Sequence, residues 1–446
     1  MTASVSSGGR LARFLFAMFQ GGGNIPLILP IAAQPVARGH QVRVLAGSSI
    51  RGIRLPVSEQ FRERIAASGA AFVPFREPDP HPFDMVSPPR GLAFGWKPKR
   101  LVAPTSNVPT LIRAPAWADN VEFDLASTPT DVLVADHFLL GALAAGEAAG
   151  EAAGVPTAAI VHGFYKHRPA LGVPPYATGF PPARDPASRL REALYNAAIR
   201  RVYRRDGLPP LNRARRRLGL APLRSPFGQY DRAARVLILA SSALDFPVRR
   251  PEPNVRYVGT PFDDVGADAW DSPWPDDDAR PLVLVSLSTL PQGQAPILQR
   301  ILTAVAPLPV RALVTLGPSL NASEFTAPPN VTFRTFVPHA SVLPHVTAMV
   351  TQCGMGALMK ALAHGIPLVC VPLVGDQPDN AARMIARGAG VRLRSDAAPA
   401  QIRVAIRQVL NEQSFRDGAR RLGTAITAQD GACTAADEIK SLVKDR

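Results

Sequence analysis

The chain alternates short apolar runs with helical stretches over most of its length. Residues 13–19, RFLFAMF, make an unbroken apolar run of strand length. A glycine-rich turn follows from Gln20 to Ile25. Pro26 then opens an apolar helix that ends at Arg38-Gly39, proline suiting a first turn and glycine a helix stop. A second strand is expected over Gln41 to Ala46. Strand, glycine turn, helix and strand open a Rossmann-like βαβ unit, although Gly21-Gly22-Gly23 does not complete a GxGxxG pattern. Pro30 and Pro35 each remove a backbone donor from the helix, which predicts a kink. Further on, Asp131 to Ala135 reads as a strand, Leu139 to Gly154 as an alanine-rich helix and Thr157 to Val161 as another strand. Pro251 to Asp278, rich in proline, aspartate and glycine, reads as a linker, after which PLVLVSLS at 281–288 restarts the pattern. The alternation is that of parallel sheets in an α/β fold.

Length adds a division into domains. At 446 residues the chain exceeds what one hydrophobic core usually serves. The expected units are residues 1–262, a linker at 263–280 and residues 281–446, with the terminal helix packing back on the first domain. With 46% hydrophobic and 19% charged residues the chain belongs to the globular class. The apolar runs at Pro26 to Ala37, Leu282 to Leu290 and Ile366 to Val374 are too short to span a bilayer, and Phe14 to Phe19 is too short for the core of a signal peptide. Cys353, Cys370 and Cys433 form no CxxC pair, so neither a disulfide framework nor a zinc site is expected, and a reducing cytoplasm fits.

The net charge of +15 favours anionic partners. Much of it lies between Arg184 and Arg224, where arginines far outnumber Asp185, Glu192 and Asp206. Two readings stand: a solvated helical face, or a peripheral contact with an anionic membrane. Nucleic acid is not expected, because the segment offers only Tyr195 and Tyr203 for stacking and no binding motif accompanies it.

The residues that carry chemistry concentrate between Arg334 and Asn380. A strand ending at Thr351 leads through Gln352-Cys353-Gly354-Met355-Gly356 into a helix, whose free N–H groups and positive dipole end suit a diphosphate. TFVPH, TQCGMG, HGIP and GDQPDN follow one another over more than forty residues, and VSLSTLPQ, GVPTAAIVHGFY and GGGNIP extend the pattern over most of the chain. This set resembles the nucleotide-sugar signature of family 1 glycosyltransferases, including actinobacterial natural-product enzymes. The resemblance implies a GT-B fold, two Rossmann-like domains facing across a cleft, with the acceptor on the first domain and the donor on the second. It places Phe336 against a uracil or thymine base and the Val337 backbone on the base edge. Gly354 and Gly356 fall on the β-phosphate loop, Thr289 on a phosphate-binding serine, and Asp376 with Gln377 on the donor sugar's hydroxyls. Taken alone, Phe336 also reads as core and Asp376 as a helix cap.

Several positions depart from the family. Gln352 stands where the phosphate-binding histidine belongs, and Lys360 where the ribose-binding glutamate belongs. Gly23 stands where the histidine that deprotonates the acceptor belongs, and its neighbour Asn24 is no base near neutral pH. Asp136 matches that histidine's partner. His137 and His162 are the imidazoles left in the segments expected at the active site, and His162 is the preferred substitute because it ends a strand at the carboxyl edge. The implied activity is inverting, metal-independent transfer of a hexose from a UDP or dTDP sugar to a natural-product or lipid-like acceptor, with no cofactor. A catalytically silent homologue that binds nucleotide sugar or a partner is the alternative. The acceptor pocket is expected among the loops between Ile50 and Asn120.

Overall fold

The computed structural model describes residues 11–19, 24–47, 56–76, 111–262, 270–288 and 292–444, without the side chains of residues 24, 25 and 56–60. The apolar runs become strands of two parallel sheets. The first holds β1 (Arg13–Ala17), β2 (Gln41–Ala46), β3 (Ala71–Pro74), β4 (Val132–Asp136), β5 (Thr157–Val161), β6 (Arg235–Ile238) and β7 (Val255–Tyr257). Their order is β3-β2-β1-β4-β5-β6-β7. The second holds β8 (Leu282–Ser286), β9 (Arg311–Thr315), β10 (Val331–Arg334), β11 (Ala348–Thr351), β12 (Leu368–Cys370) and β13 (Gly390–Arg392), in the order β10-β9-β8-β11-β12-β13. Every residue of β4, β5 and β8 is buried, as expected where helices cover both faces of a parallel sheet. Each sheet reverses its strand order once, between β1 and β4 and between β8 and β11. Ligands of open α/β sheets bind outside the carboxyl ends of the strands at such a point.

The strand read at Asp131 to Ala135 is shifted by one residue, which puts Asp136 at the end of β4. The first helix runs from Asn24 to Ala37 and passes through Pro30 and Pro35. Two lost donors do not end it because Ile28, Ile31 and Ala32 are buried in one core with Phe14, Phe16 and Val44. Its neighbour in space is the helix Gly431–Lys440, whose Ala435 and Ile439 join that core. β7 lies inside the stretch read as a linker, its three residues too few to show a period. The helix Leu140–Ala153 packs tightly on Ala114–Ser127: a Cβ on Gly141 has no room beside the Ala114 carbonyl.

The arginine-rich segment divides in two. Arg215 is buried and pairs with Glu147 and Gln229, Arg217 with Asp119 and Glu122, and Arg205 with Asp206, so these cations serve the fold. Tyr203 is buried and Tyr195 packs edge-on against Phe180, which leaves neither as an open stacking platform. The helix Pro186–Val202, by contrast, buries only Ile199 and exposes Leu190, Leu194, Arg189 and Arg200. Among the described residues no helix is long and apolar enough to cross a membrane.

Candidate active site

The carboxyl ends of β4 and β5 bring together three side chains that sequence reasoning could only name separately. Asp136 is fully buried, and its Oδ2 lies 2.7 Å from His162 Nε2. Its Oδ1 accepts from the Phe138 amide at 2.9 Å and lies 3.2 Å from His137 Nδ1. Burial alone would raise the carboxyl's pKa, but the facing His162 and His137 outweigh it and hold the group well below the usual carboxylate range. An ionised Asp136 can only accept, so His162 donates from Nε2 and leaves Nδ1 as the lone-pair nitrogen. Among the described residues, no hydrogen-bond partner meets that nitrogen. Burial lowers the pKa of His137 to about 4, against the pull of Asp136, and its Nδ1 also faces the Ile160 carbonyl at 3.2 Å. The same three residues could gather around a metal ion, their ligand atoms lying within 4.8 Å of one another. The Asp136 contacts at 2.7 and 3.2 Å are already accounted for by shared protons. Gly23, where the family places its histidine, and the side chain of Asn24 lie outside the described residues.

β5 delivers the next residue, Gly163, to the second domain. A Cβ there would come 3.3 Å from Met355 Sδ, so this edge abuts the start of the helix Met355–Ala363. The loop before that helix is strained: Cys353 holds a φ of 69°, a left-handed conformation unusual for a residue with a side chain. Asn380 Nδ2 holds it there by donating to the Cys353 carbonyl at 3.0 Å. Gly354 caps the helix, and a Cβ on it would press on Gln352 Nε2 at 3.1 Å. Among the described residues nothing lies within 4 Å of a Cβ on Gly356, so they do not ask for glycine there and leave room for a ligand. Lys360 follows Gly356 by four residues on the same helix face and is half-buried. Gln352 is buried, its Oε1 3.1 Å from Thr351 Oγ1.

Phe336 is 75% exposed, which removes the reading of it as core, while Val337 next to it is buried. Asp376 occupies the cap position of the helix Gln377–Ala386, yet its side chain makes no capping bond, so the cap reading is corrected too. Instead its Oδ2 faces Asn380 Nδ2 at 3.3 Å and, across the cleft, Lys166 Nζ at 3.6 Å. Gln377 is engaged within the protein: it accepts from the amides of Leu373 and Val374 and donates to Gln292 at 2.9 Å. That arrangement shapes the loop behind Asp376. Thr289 lies outside the described residues.

A narrow cavity of about 60 Å³ runs between the two edges, lined by His137, Phe138, Tyr176, Tyr203 and Tyr230 on one side and by Asp376, Asn380 and Arg383 on the other. Most of the Ile50 to Asn120 stretch expected to form the acceptor pocket falls outside the described residues, and the cavity takes its first-domain wall mainly from residues 137–176 and 196–230. The edges are fastened together. Arg383 donates to Asp245 at 2.7 Å with both groups buried, and its guanidinium sits 4.7 Å from the ring centres of both Phe164 and Phe246. Arg387 adds bonds to the Ala243 and Asp245 carbonyls.

Two parallel α/β sheets that meet across a cleft at their switch points define the GT-B class of glycosyltransferase fold. The solved calicheamicin glycosyltransferase CalG4 has this fold: it matches with a TM-score of 0.70 at 23% identity, covering 97% of this chain and 98% of that one. Glycosyltransferase VinC, solved in complex with dTDP, matches with a TM-score of 0.67 at 19% identity, covering 96% and 99%. Residues 299–442 match the family model of the erythromycin biosynthesis protein CIII-like carboxy-terminal domain. The 4'-demethylrebeccamycin synthase of Lentzea aerocolonigenes is 32% identical over 448 residues, covering 97% of this chain and 100% of the relative. The chain belongs to the family 1 glycosyltransferases, in their actinobacterial natural-product branch.

Proposed function

We propose that the chain moves a hexose from a UDP or dTDP sugar to a natural-product acceptor, with inversion and without a metal, and that His162 and Asp136 supply the base that Gly23 does not. The observation that carries this reading is the 2.7 Å contact between His162 Nε2 and a buried, ionised Asp136, beside the loop at Cys353 to Gly356. An acceptor O–H or N–H brought against His162 Nδ1, which lies behind the cavity wall formed by His137, gives its proton there as its heteroatom attacks the anomeric carbon. The bond from that carbon to the diphosphate breaks on the opposite face, which inverts the centre in one step. The proton rests on His162, and Asp136 stabilises the imidazolium. The leaving charge falls on the helix start at Gly354 to Gly356, with Gln352 and Thr289 as further donors. Phe336 is the stacking surface for the base, the Val337 backbone meets the base edge, and Asp376 receives the sugar hydroxyls. Lys360 offers a cation toward the diphosphate.

Mass spectrometry of the purified protein with mixed UDP and dTDP sugars and an acceptor panel, with NMR of the product's anomeric configuration, tests the reading. Glycosylated product of inverted configuration is expected, unchanged by EDTA. Loss of activity with EDTA would reassign the Asp136, His137 and His162 group to a metal, and nucleotide binding with no transfer would make the chain a silent homologue.

A peripheral membrane contact is a second reading of the helix Pro186–Val202, favoured by Leu190 and Leu194, 61% and 62% exposed beside uncovered arginines. Vesicles decide it. Co-sedimentation with anionic but not neutral lipid at low salt is expected, and equal recovery with both leaves the helix a solvated face.

A further inference from the structure

The helix that carries the donor motif also reaches across the cleft through a residue the motif leaves open. Asp379 is buried, and its two carboxylate oxygens accept from the backbone amides of Ala177 at 2.5 Å and Gly179 at 2.7 Å. Those amides belong to a strap, residues 173–180, whose Val173, Pro174, Pro175 and Tyr176 form a wall of the cavity. The strap is not in a relaxed shape. Ala177 holds a φ of 59°, a left-handed conformation that an L-residue with a side chain rarely adopts. Arg392 Nη1 adds a bond to the Gly179 carbonyl at 2.9 Å. The strained turn is thus held from the opposite domain. Within five residues, the start of one helix carries the carboxylate facing the donor sugar, Asp376, the tie to the Cys353 loop, Asn380, and the tie to the cavity wall, Asp379.

We propose that Asp379 is a positioning residue for the acceptor: it holds the strap, and Tyr176 with it, in the shape that seats the acceptor beside the donor. This rests on reading the cavity as the acceptor site. A shift of the donor helix when nucleotide binds is then passed to the acceptor wall through two hydrogen bonds, with no element in between.

Amide hydrogen exchange at Ala177 and Gly179 tests the anchor without turnover, and steady-state kinetics tests its purpose. Both amides are expected to be protected in the wild type. In Asp379→Ala they should exchange at least ten times faster, while the amides of β4 and β5 keep their protection and so report an intact fold. The acceptor KM should rise at least fivefold, with the donor KM within twofold and kcat within threefold of wild type. Adding Ala177→Gly should recover at least half of the lost acceptor affinity on a logarithmic scale, because glycine adopts the strained conformation without steric penalty. Unchanged protection in Asp379→Ala, a parallel rise in donor and acceptor KM, or no recovery with Ala177→Gly would each overturn the proposal. Faster exchange in the variant beside a wild type that transfers nothing would count against the transferase reading and leave the anchor standing.

Discussion

At the scale of single residues, the site is a problem of where protons sit. Asp136 is offered donors by His162, His137 and the Phe138 amide, so its charge is fixed and both imidazoles are turned by it. If His162 is the base proposed above, its loss should act on chemistry more than on binding: His162→Ala is expected to lower kcat by roughly 10²- to 10⁴-fold, the usual worth of general base catalysis. Nucleotide affinity, measured by calorimetry, should stay within a few-fold. Full activity in this variant would remove His162 from the mechanism. Gly356→Asp tests the other half, since a carboxylate in that open space repels the diphosphate and opposes the dipole of the helix start. Loss of measurable UDP and dTDP binding is expected. Asp136 was named in the sequence through the family resemblance and His162 as the residue at a strand's carboxyl edge, but their pairing was not. Asp379 was not named at all, because the resemblance assigns it no role and its partners, Ala177 and Gly179, lie in the other domain. Nor was the strain at Cys353, which only backbone angles reveal.

At the scale of elements, short strands and their connections place these residues. Every strand that the apolar runs predicted is found, to within a residue or two, because a parallel strand covered on both faces must be apolar throughout. Edge pieces escape the same logic: β7 has three residues, two of them only half-buried, and no pattern of its own. The helix Asn24–Ala37 runs through two prolines as its apolar run predicted; propensity alone would stop it, and tertiary burial holds it. Two loops of the proposed donor site depend on one side chain. Asn380 is buried and bonds both the Cys353 carbonyl and Asp376. Asn380→Ala frees the strained loop and the carboxylate together, and at about 1 kcal/mol for each bond it should weaken nucleotide binding by about tenfold or more. Isothermal calorimetry with UDP and dTDP reads this directly, and unchanged affinity would mean that the loop holds its shape alone.

At the scale of the whole molecule, the contacts across the cleft make stability depend on pH. Burial raises the Asp379 carboxyl to about 6, against Arg383 and the amides of Gly179 and Ala177, which favour its charge. Its pKa in the unfolded chain is near the ordinary 3.8. The folded state therefore holds the proton more tightly, and the sign follows: this group's contribution is complete below about pH 4, declines as pH rises to about 6, and is constant above that. The span is on the order of 2–3 kcal/mol. Thermal unfolding of wild type and Asp379→Asn between pH 4 and 8 should show the difference between them falling through that window and then levelling, and a difference that does not vary with pH would refute the assignment. The helix Gly431–Lys440 carries a different consequence, one of timing during synthesis. Its Ala435 and Ile439 complete a core begun by Phe14 and Ile28. On the ribosome, that core stays incomplete while the entire second sheet is translated. Expressing the first domain by itself should therefore give an aggregating fragment unless the distant helix is grafted on or supplied as a peptide.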